Sequence, residues 1–178
     1  MATNYDGTAL VMYVNGELIT YDYNKTWKKT SSLILVDRLY GSNPNYQVQM
    51  NASGTYFFFI QYDPHLELKI QVWHRTRTHW RFHHNIKLLD VNFKFFCVSN
   101  SGNILVTNQY RDVVLFEYSG EHKKLIRAHH HGLEAQNASI NESENIVIFK
   151  MKSNIVLMRK KEHLFKKYEN LKTEEDSH

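Results

Sequence analysis

A repeat constrains this chain more than any other feature. Four segments share one grammar: a polar turn, an apolar strand, a second turn and a second strand. The first is YDGTALVMYVNGELITYDY, Tyr5 to Tyr23. The second starts with NASGTYFFFIQYD at Asn51 and continues through LELKIQVWHR to Arg75. The third is SNSGNILVTNQYRDVVLFEYSG, Ser99 to Gly120. The fourth is NESENIVIFKMKSNIVLMRK, Asn141 to Lys160. A unit of this kind cannot bury its apolar surface alone and must stack against its neighbours.

The opening turns are Asp6-Gly7, Ser53-Gly54, Ser101-Gly102 and Ser143-Glu144-Asn145. The second turns are built on Asn15-Gly16, Asp63-Pro64, Arg111-Asp112 and Ser153-Asn154. Asn15-Gly16 is a strong hairpin signal, because both central residues of a type I′ turn need positive φ. The first strands, Leu10 to Tyr13, Tyr56 to Ile60, Ile104 to Val106 and Ile146 to Phe149, are nearly continuous apolar runs. That pattern predicts strands covered on both faces. The second strands, Leu18 to Tyr21, Leu68 to Trp73, Val113 to Phe116 and Ile155 to Met158, read as half-buried. Leu68, Ile70 and Val72 point one way, Lys69 and Gln71 the other.

Gly7, Gly54 and Gly102 recur at intervals of 47 and 48 residues. The second-strand ends Tyr21, Trp73, Phe116 and Met158 recur at 52, 43 and 42. Such periods match a four-stranded propeller blade. They leave room for further strands at Thr78 to Phe82, Val91 to Val98, Lys124 to Ala128 and Ala135 to Ile140. Only Met1 to Tyr5 precede the first turn, so the first unit lacks a clear opening strand. The terminal segment RKKEHLFKKYENLKTEEDSH, Arg159 to His178, reads as the last outer strand running into a disordered tail. Its alternative is a short basic amphipathic helix that docks on a partner.

The ends of the second strands resemble the Trp-Asp pair of the WD40 family of β-propeller repeats. They read Tyr21-Asp22, Trp73-His74, Phe116-Glu117 and Met158-Arg159. The aromatic-acidic pattern holds in the first and third units, half holds in the second and is lost in the fourth. His129 stands near the place of the family's structural histidine, but no Gly-His pair is present. The resemblance implies an all-β chain of about four WD40-like propeller blades, approximately 1–40, 41–84, 85–128 and 129–168, with an acidic tail at 169–178. The competing architecture is another all-β repeat or sandwich. Propellers have four to eight blades. The expectation is therefore a small closed ring, an arc completed by self-association or a partner, or a piece of a longer chain.

Composition narrows the classes of function. With 178 residues, 42% hydrophobic and only two prolines, the chain can bury one substantial core. Cys97 is the only cysteine, which excludes an internal disulfide and a Cys-based zinc site. A reducing, cytoplasmic or otherwise intracellular location is expected. No signal peptide and no apolar run of about 20 residues is visible, so no membrane insertion is expected. The sequons at Asn24, Asn51, Asn137 and Asn141 read as chance in an Asn-rich chain. A net charge of +4 with a pI near 9.0 permits an anionic partner.

The stretch VWHRTRTHWRFHH, Val72 to His84, concentrates histidine, arginine and tryptophan. On a strand, His79 and His83 share a face about 13 Å apart. That is too far for one ion, and Arg75, Arg77 and Arg81 repel cations, so no metal is expected. His129-His130-His131 reads as a solvated loop. Cys97 lies in the apolar run KFFCVSN and reads as a buried small hydrophobe. No nucleophile elbow or phosphate loop is present, the carboxylates are dispersed, and no cofactor is implied. The chain is accordingly expected to be no enzyme but a non-catalytic protein–protein interaction scaffold, a subunit of an intracellular assembly. Its partner-binding rim would be Arg75, Arg77, His79, Arg81, Lys28 and Lys29, facing proteins with acidic surfaces. The alternative is an RNA- or ribonucleoprotein-associated module that uses this rim with Trp27, Trp73, Trp80 and Phe82.

Overall fold

The computed structural model describes residues 1–14, 17–34, 47–62, 68–77, 79–88, 93–109, 111–161 and 164–172. Every element among them is a strand. The chain divides into two compact units, Met1–Val91 with Asn100–Gly102, and Asn92–Ser99 with Asn103–His178. Each unit holds two four-stranded sheets. Strands pair in chain order, and every pair is antiparallel.

In the first unit, sheet 1 comprises β1 (Ala2–Thr3), β2 (Ala9–Val14), β3 (Glu17–Asn24) and β4 (Thr26–Ile34). Sheet 2 comprises β5 (Val48–Met50), β6 (Tyr56–Tyr62), β7 (Leu68–Arg75) and β8 (Trp80–Lys87). In the second unit, sheet 3 comprises β9 (Phe93–Val98), β10 (Ile104–Gln109), β11 (Asp112–Ser119) and β12 (Lys124–His131). Sheet 4 comprises β13 (Asn137–Ile140), β14 (Ile146–Lys150), β15 (Asn154–Lys161) and β16 (Leu164–Lys172). The first unit therefore does have an opening strand, but one of two residues, too short to show a pattern.

The opening turns follow from side chain–backbone chemistry. Asn51 Oδ1 accepts the backbone N–H groups of Thr55 and Tyr56, while its amide donates to Ser53 Oγ, Thr55 Oγ1 and the Ser101 carbonyl. Asn141 does the same for Asn145 and Ile146, and Asn4 for Ala9. Ser99 serves in sheet 3, accepting the N–H of Ile104. Each turn also carries one residue with positive φ: Gly7, Gly54, Gly102 and, in the fourth, Glu144. Glycine adopts that geometry without a Cβ penalty, whereas glutamate is strained there.

A second regularity lies between the third and fourth strands. All four sheets shift register at one equivalent place: Thr20/Tyr21, Val72/Trp73, Leu115/Phe116 and Leu157/Met158. Each β-bulge adds one residue to the outer strand and increases its twist. In sheet 1 the half-buried Thr30 and Ser31 hydroxyls at the bulge are satisfied by the buried Thr20 Oγ1.

Each unit has its own core. In the first, Val11 and Leu18 pack with Phe57, Phe59 and Trp80, with Tyr13 and Trp73 alongside. In the second, Ile104, Val106, Val113 and Leu115 pack with Val147, Phe149, Val156 and Met158. Each fully buried side chain of this size stabilises by about 1.5–3 kcal/mol, more than an exposed ion pair does.

Several expectations change. β11 is buried on both faces through Val113 to Phe116, while β2 alternates buried and half-buried residues. His129-His130-His131 is strand, paired with Leu115, Val114 and Val113. The terminal segment does carry the expected outer strand, β16, which runs on to Lys172. Residues Asn15-Gly16 and Asp63-Pro64 lie outside the described residues, although Val14 pairs with Glu17 across the former. No helix of the described residues is long and apolar enough to cross a membrane.

Candidate functional site

In the second unit, the end of β11 and the end of β15 meet at the opening turn of sheet 4. The backbone sets them there. The Tyr118 N–H donates to the Asn103 carbonyl, and the Lys160 N–H to the Asn145 carbonyl. Lys160 Nζ then lies 3.1 Å from Glu117 Oε2, with both side chains mostly covered. Glu117 Oε1 is buried and has no hydrogen-bond partner among the described residues. A cavity of about 350 Å³ opens beside the pair, lined also by Asn103, Ile104, Tyr118, Ser143, Glu144 and Asn145. That volume suits a small ligand, and the lining is mixed polar and apolar. A carboxylate oxygen left without a donor in such a place is costly, and a ligand hydroxyl or a water would satisfy it.

The same step is built in the first unit, where Arg75 ion-pairs with Asp22. There too one carboxylate oxygen, Asp22 Oδ1, is buried without a partner among the described residues. The two pairs occupy equivalent positions, since the Tyr23 and Arg75 N–H groups make the same backbone bonds as those of Tyr118 and Lys160. A second cavity in the second unit, about 410 Å³, lies beside Lys94, Glu134, Gln136 and Lys152. Lys94 Nζ is 3.0 Å from Glu134 Oε1. That hydrogen bond and charge hold the Glu134 carboxyl below the usual carboxylate range, helped by Arg111 and Lys152. Both partners of this pair are substantially exposed, so solvent weakens the attraction.

The expected rim is only partly assembled. Arg75 is held by Asp22 and lies 6.0 Å from the Trp80 ring. Lys28 is in register with Asp22, and Lys29 with Tyr21, so both lysines lie on the same sheet as Arg75's partner. Arg81 Nε donates to His79 Nε2 at 2.8 Å, and Arg77 is exposed in the turn before β8. Trp80 is buried, Phe82 is 48% exposed, and Trp73 and Phe82 meet edge to face. His74, His83 and Tyr56 cluster, and burial together with the His74 charge pushes His83 below the ordinary histidine range. No group of three metal-ligating side chains converges among the described residues.

The turn-heading Asn4, Asn51, Ser99 and Asn141 escaped the sequence reading, as did both ion pairs. A signal for the pairs exists in the aligned repeat. The last position of each aromatic-acidic pair alternates acid and base: Asp22, His74, Glu117, Arg159. The residue after it alternates aromatic and cation: Tyr23, Arg75, Tyr118, Lys160.

No protein-family model matches the chain, and no curated protein matches it in sequence. Solved structures do. A candidate 6-phosphogluconolactonase of Bacteroides fragilis is 10% identical, with a TM-score of 0.66, covering 95% of this chain and 53% of its own. The periplasmic gluconolactonase of Pseudomonas aeruginosa is 13% identical, with a TM-score of 0.59, covering 96% and 52%. A functionally unknown protein of Desulfotomaculum acetoxidans is 10% identical, with a TM-score of 0.70, covering 96% and 55%. The all-β, β-propeller-like fold is thus shared, and the chain spans about half the length of the structures it matches. The lactonase names overturn two expectations, the non-catalytic scaffold with its RNA-binding alternative and the absence of enzyme activity. Carboxylates dispersed in the sequence are nonetheless brought to cations by the repeat, Glu117 to Lys160 and Asp22 to Arg75.

Proposed function

We propose that the protein is a lactone hydrolase of the sugar-acid type, its four sheets forming four blades of a β-propeller that further sheets complete. Half-length coverage of the matched structures supports the completion, and their lactonase names support the reaction. The observation that carries the reading is the Glu117–Lys160 pair beside its 350 Å³ cavity. In the reaction, a water loses a proton to the Glu117 carboxylate and attacks the lactone carbonyl carbon. The carbonyl oxygen becomes an oxyanion facing the Lys160 ammonium. The ring C–O bond then breaks, its oxygen takes the proton back, and a hydroxy-acid is released. Asn103, Ser143 and Asn145 line the cavity and in this reading meet sugar hydroxyls.

The test is acid release from δ-gluconolactone and 6-phosphogluconolactone, followed by pH-stat against the spontaneous rate. Wild type is expected to exceed the blank, and Glu117→Gln to lose about 10²–10⁴-fold of that excess, the usual share of a general base. Folded wild type at the blank rate on both lactones would overturn the proposal.

A further inference from the structure

Each sheet has two faces, and the register names them. In sheet 3, the cross-strand pairs Val106–Leu115 and Asn108–Val113 lie on what we term the forward face. In sheet 4, the pairs Val147–Met158 and Phe149–Val156 lie on the rear face. Inside the second unit these two faces pack on each other and exclude water. The first unit repeats the arrangement. The forward face of sheet 1, with Val11, Tyr13 and Leu18, packs on the rear face of sheet 2, with Phe57, Phe59 and Trp73.

Each unit also holds one face of this kind that is open to solvent. The forward face of sheet 4 carries the pairs Ile148–Leu157 and Lys150–Ile155, with Ile146 opposite Arg159. Ile148 is 40% exposed, and Ile146, Ile155 and Leu157 are half-buried, where the equivalent residues of sheet 3 are buried. The rear face of sheet 1 carries Leu10–Tyr21 and Met12–Ile19, all half-buried, where the equivalent Val147–Met158 and Phe149–Val156 of sheet 4 are buried. One chain therefore bears both halves of the interface that it uses internally, and both are open to solvent.

The polar corner agrees. At the internal steps an acid of one sheet meets a cation of the next, Asp22 with Arg75 and Glu117 with Lys160. On the forward face of sheet 4 the acid's place is taken by Arg159, which is exposed. On the rear face of sheet 1 the cation's place is taken by Tyr23, 47% exposed and set against Trp27 at 5.4 Å between ring centroids. Arginine over an aromatic face is an attractive pair, so the corner stays complementary with its character exchanged.

We infer that the forward face of sheet 4 docks on the rear face of sheet 1 of a second copy of this chain, with Arg159 over Tyr23. A head-to-tail contact of this kind either closes or propagates, and closure by two copies covers the open face of each sheet 4 and of each sheet 1. The inference does not depend on the lactonase reading.

Light scattering on a size-exclusion column tests it. Wild type is expected near twice the 21.2 kDa of one chain. Ile148→Asp and Met12→Asp each block one face at a half-exposed position and are expected to run as monomers with unchanged β circular dichroism. Mixed in equal amounts, they retain one complementary pair of faces and are expected to recover a two-chain species. A monomeric wild type would overturn the inference. Retained dimers in either single variant, or a mixture that stays monomeric, would do the same.

Discussion

Asn51 holds Tyr56: the side-chain oxygen of the first accepts the backbone N–H of the second at 2.8 Å, across a turn that is buried at its head. The relationship is repeated between Asn141 and Ile146, again at 2.8 Å. In both cases the bonded N–H belongs to the first residue of an apolar strand. The turn is thus tied to the point at which the chain enters the core.

Removing that head should be expensive. Asn51→Ala strips partners from two backbone N–H groups and leaves a gap at a side chain that is 1% exposed. An expected loss of about 2–3 kcal/mol follows from the unsatisfied groups. Ser99→Ala removes one such bond, to Ile104, and should cost about 1 kcal/mol. Urea unfolding measures both, and equal losses would contradict the assignment of Asn51 as the stronger head.

The positive-φ position gives a prediction of opposite sign. Glu144 has φ 57, and Glu144→Gly should stabilise by about 1 kcal/mol by removing the Cβ penalty. Gly54→Ala should destabilise by more than Gly7→Ala. Both have positive φ, but a Cβ at Gly54 would lie 3.1 Å from Asn4 Nδ2 and 3.2 Å from Ala9 Cβ, while one at Gly7 meets nothing. Thermal midpoints of the three variants settle the order.

Cys97 should be inert in the folded protein. Burial pushes its thiol up to about 11, against a weaker lowering by a backbone hydrogen bond at Ile140. At pH 8 only about one molecule in a thousand carries the reactive thiolate. A disulfide reagent should therefore react slowly until denaturant is added. Because the folded value is raised, the thiol's contribution to stability is present below the reference value of 9.0 and is lost as pH climbs towards 11. Equal reactivity of native and unfolded protein would contradict the burial.

Much of the fold was legible because turns and strand runs are local. Gly7, Gly54 and Gly102 mark their turns in the sequence itself, and the apolar runs that follow them became β2, β6 and β10. The outer strands were harder. A bulge inserts Thr30, His83 or Ala128 into the alternation, so period-two counting loses its phase there. That is why the histidine tripeptide of β12 read as a loop. The ion pairs were illegible for another reason. Glu117 and Lys160 are 43 positions apart and meet only when two sheets stack. Arg75 looked like free surface charge because its partner, Asp22, is 53 positions upstream.

The pairing of strands in chain order has a consequence for how the protein is made. Every ladder joins a strand to the one before it, so each sheet can close its hydrogen bonds without waiting for distant chain. Loop-closure entropy is small at such separations. On the ribosome, sheet 1 can assemble while sheet 2 is still being synthesised. Its apolar face then waits only for the next few dozen residues to emerge.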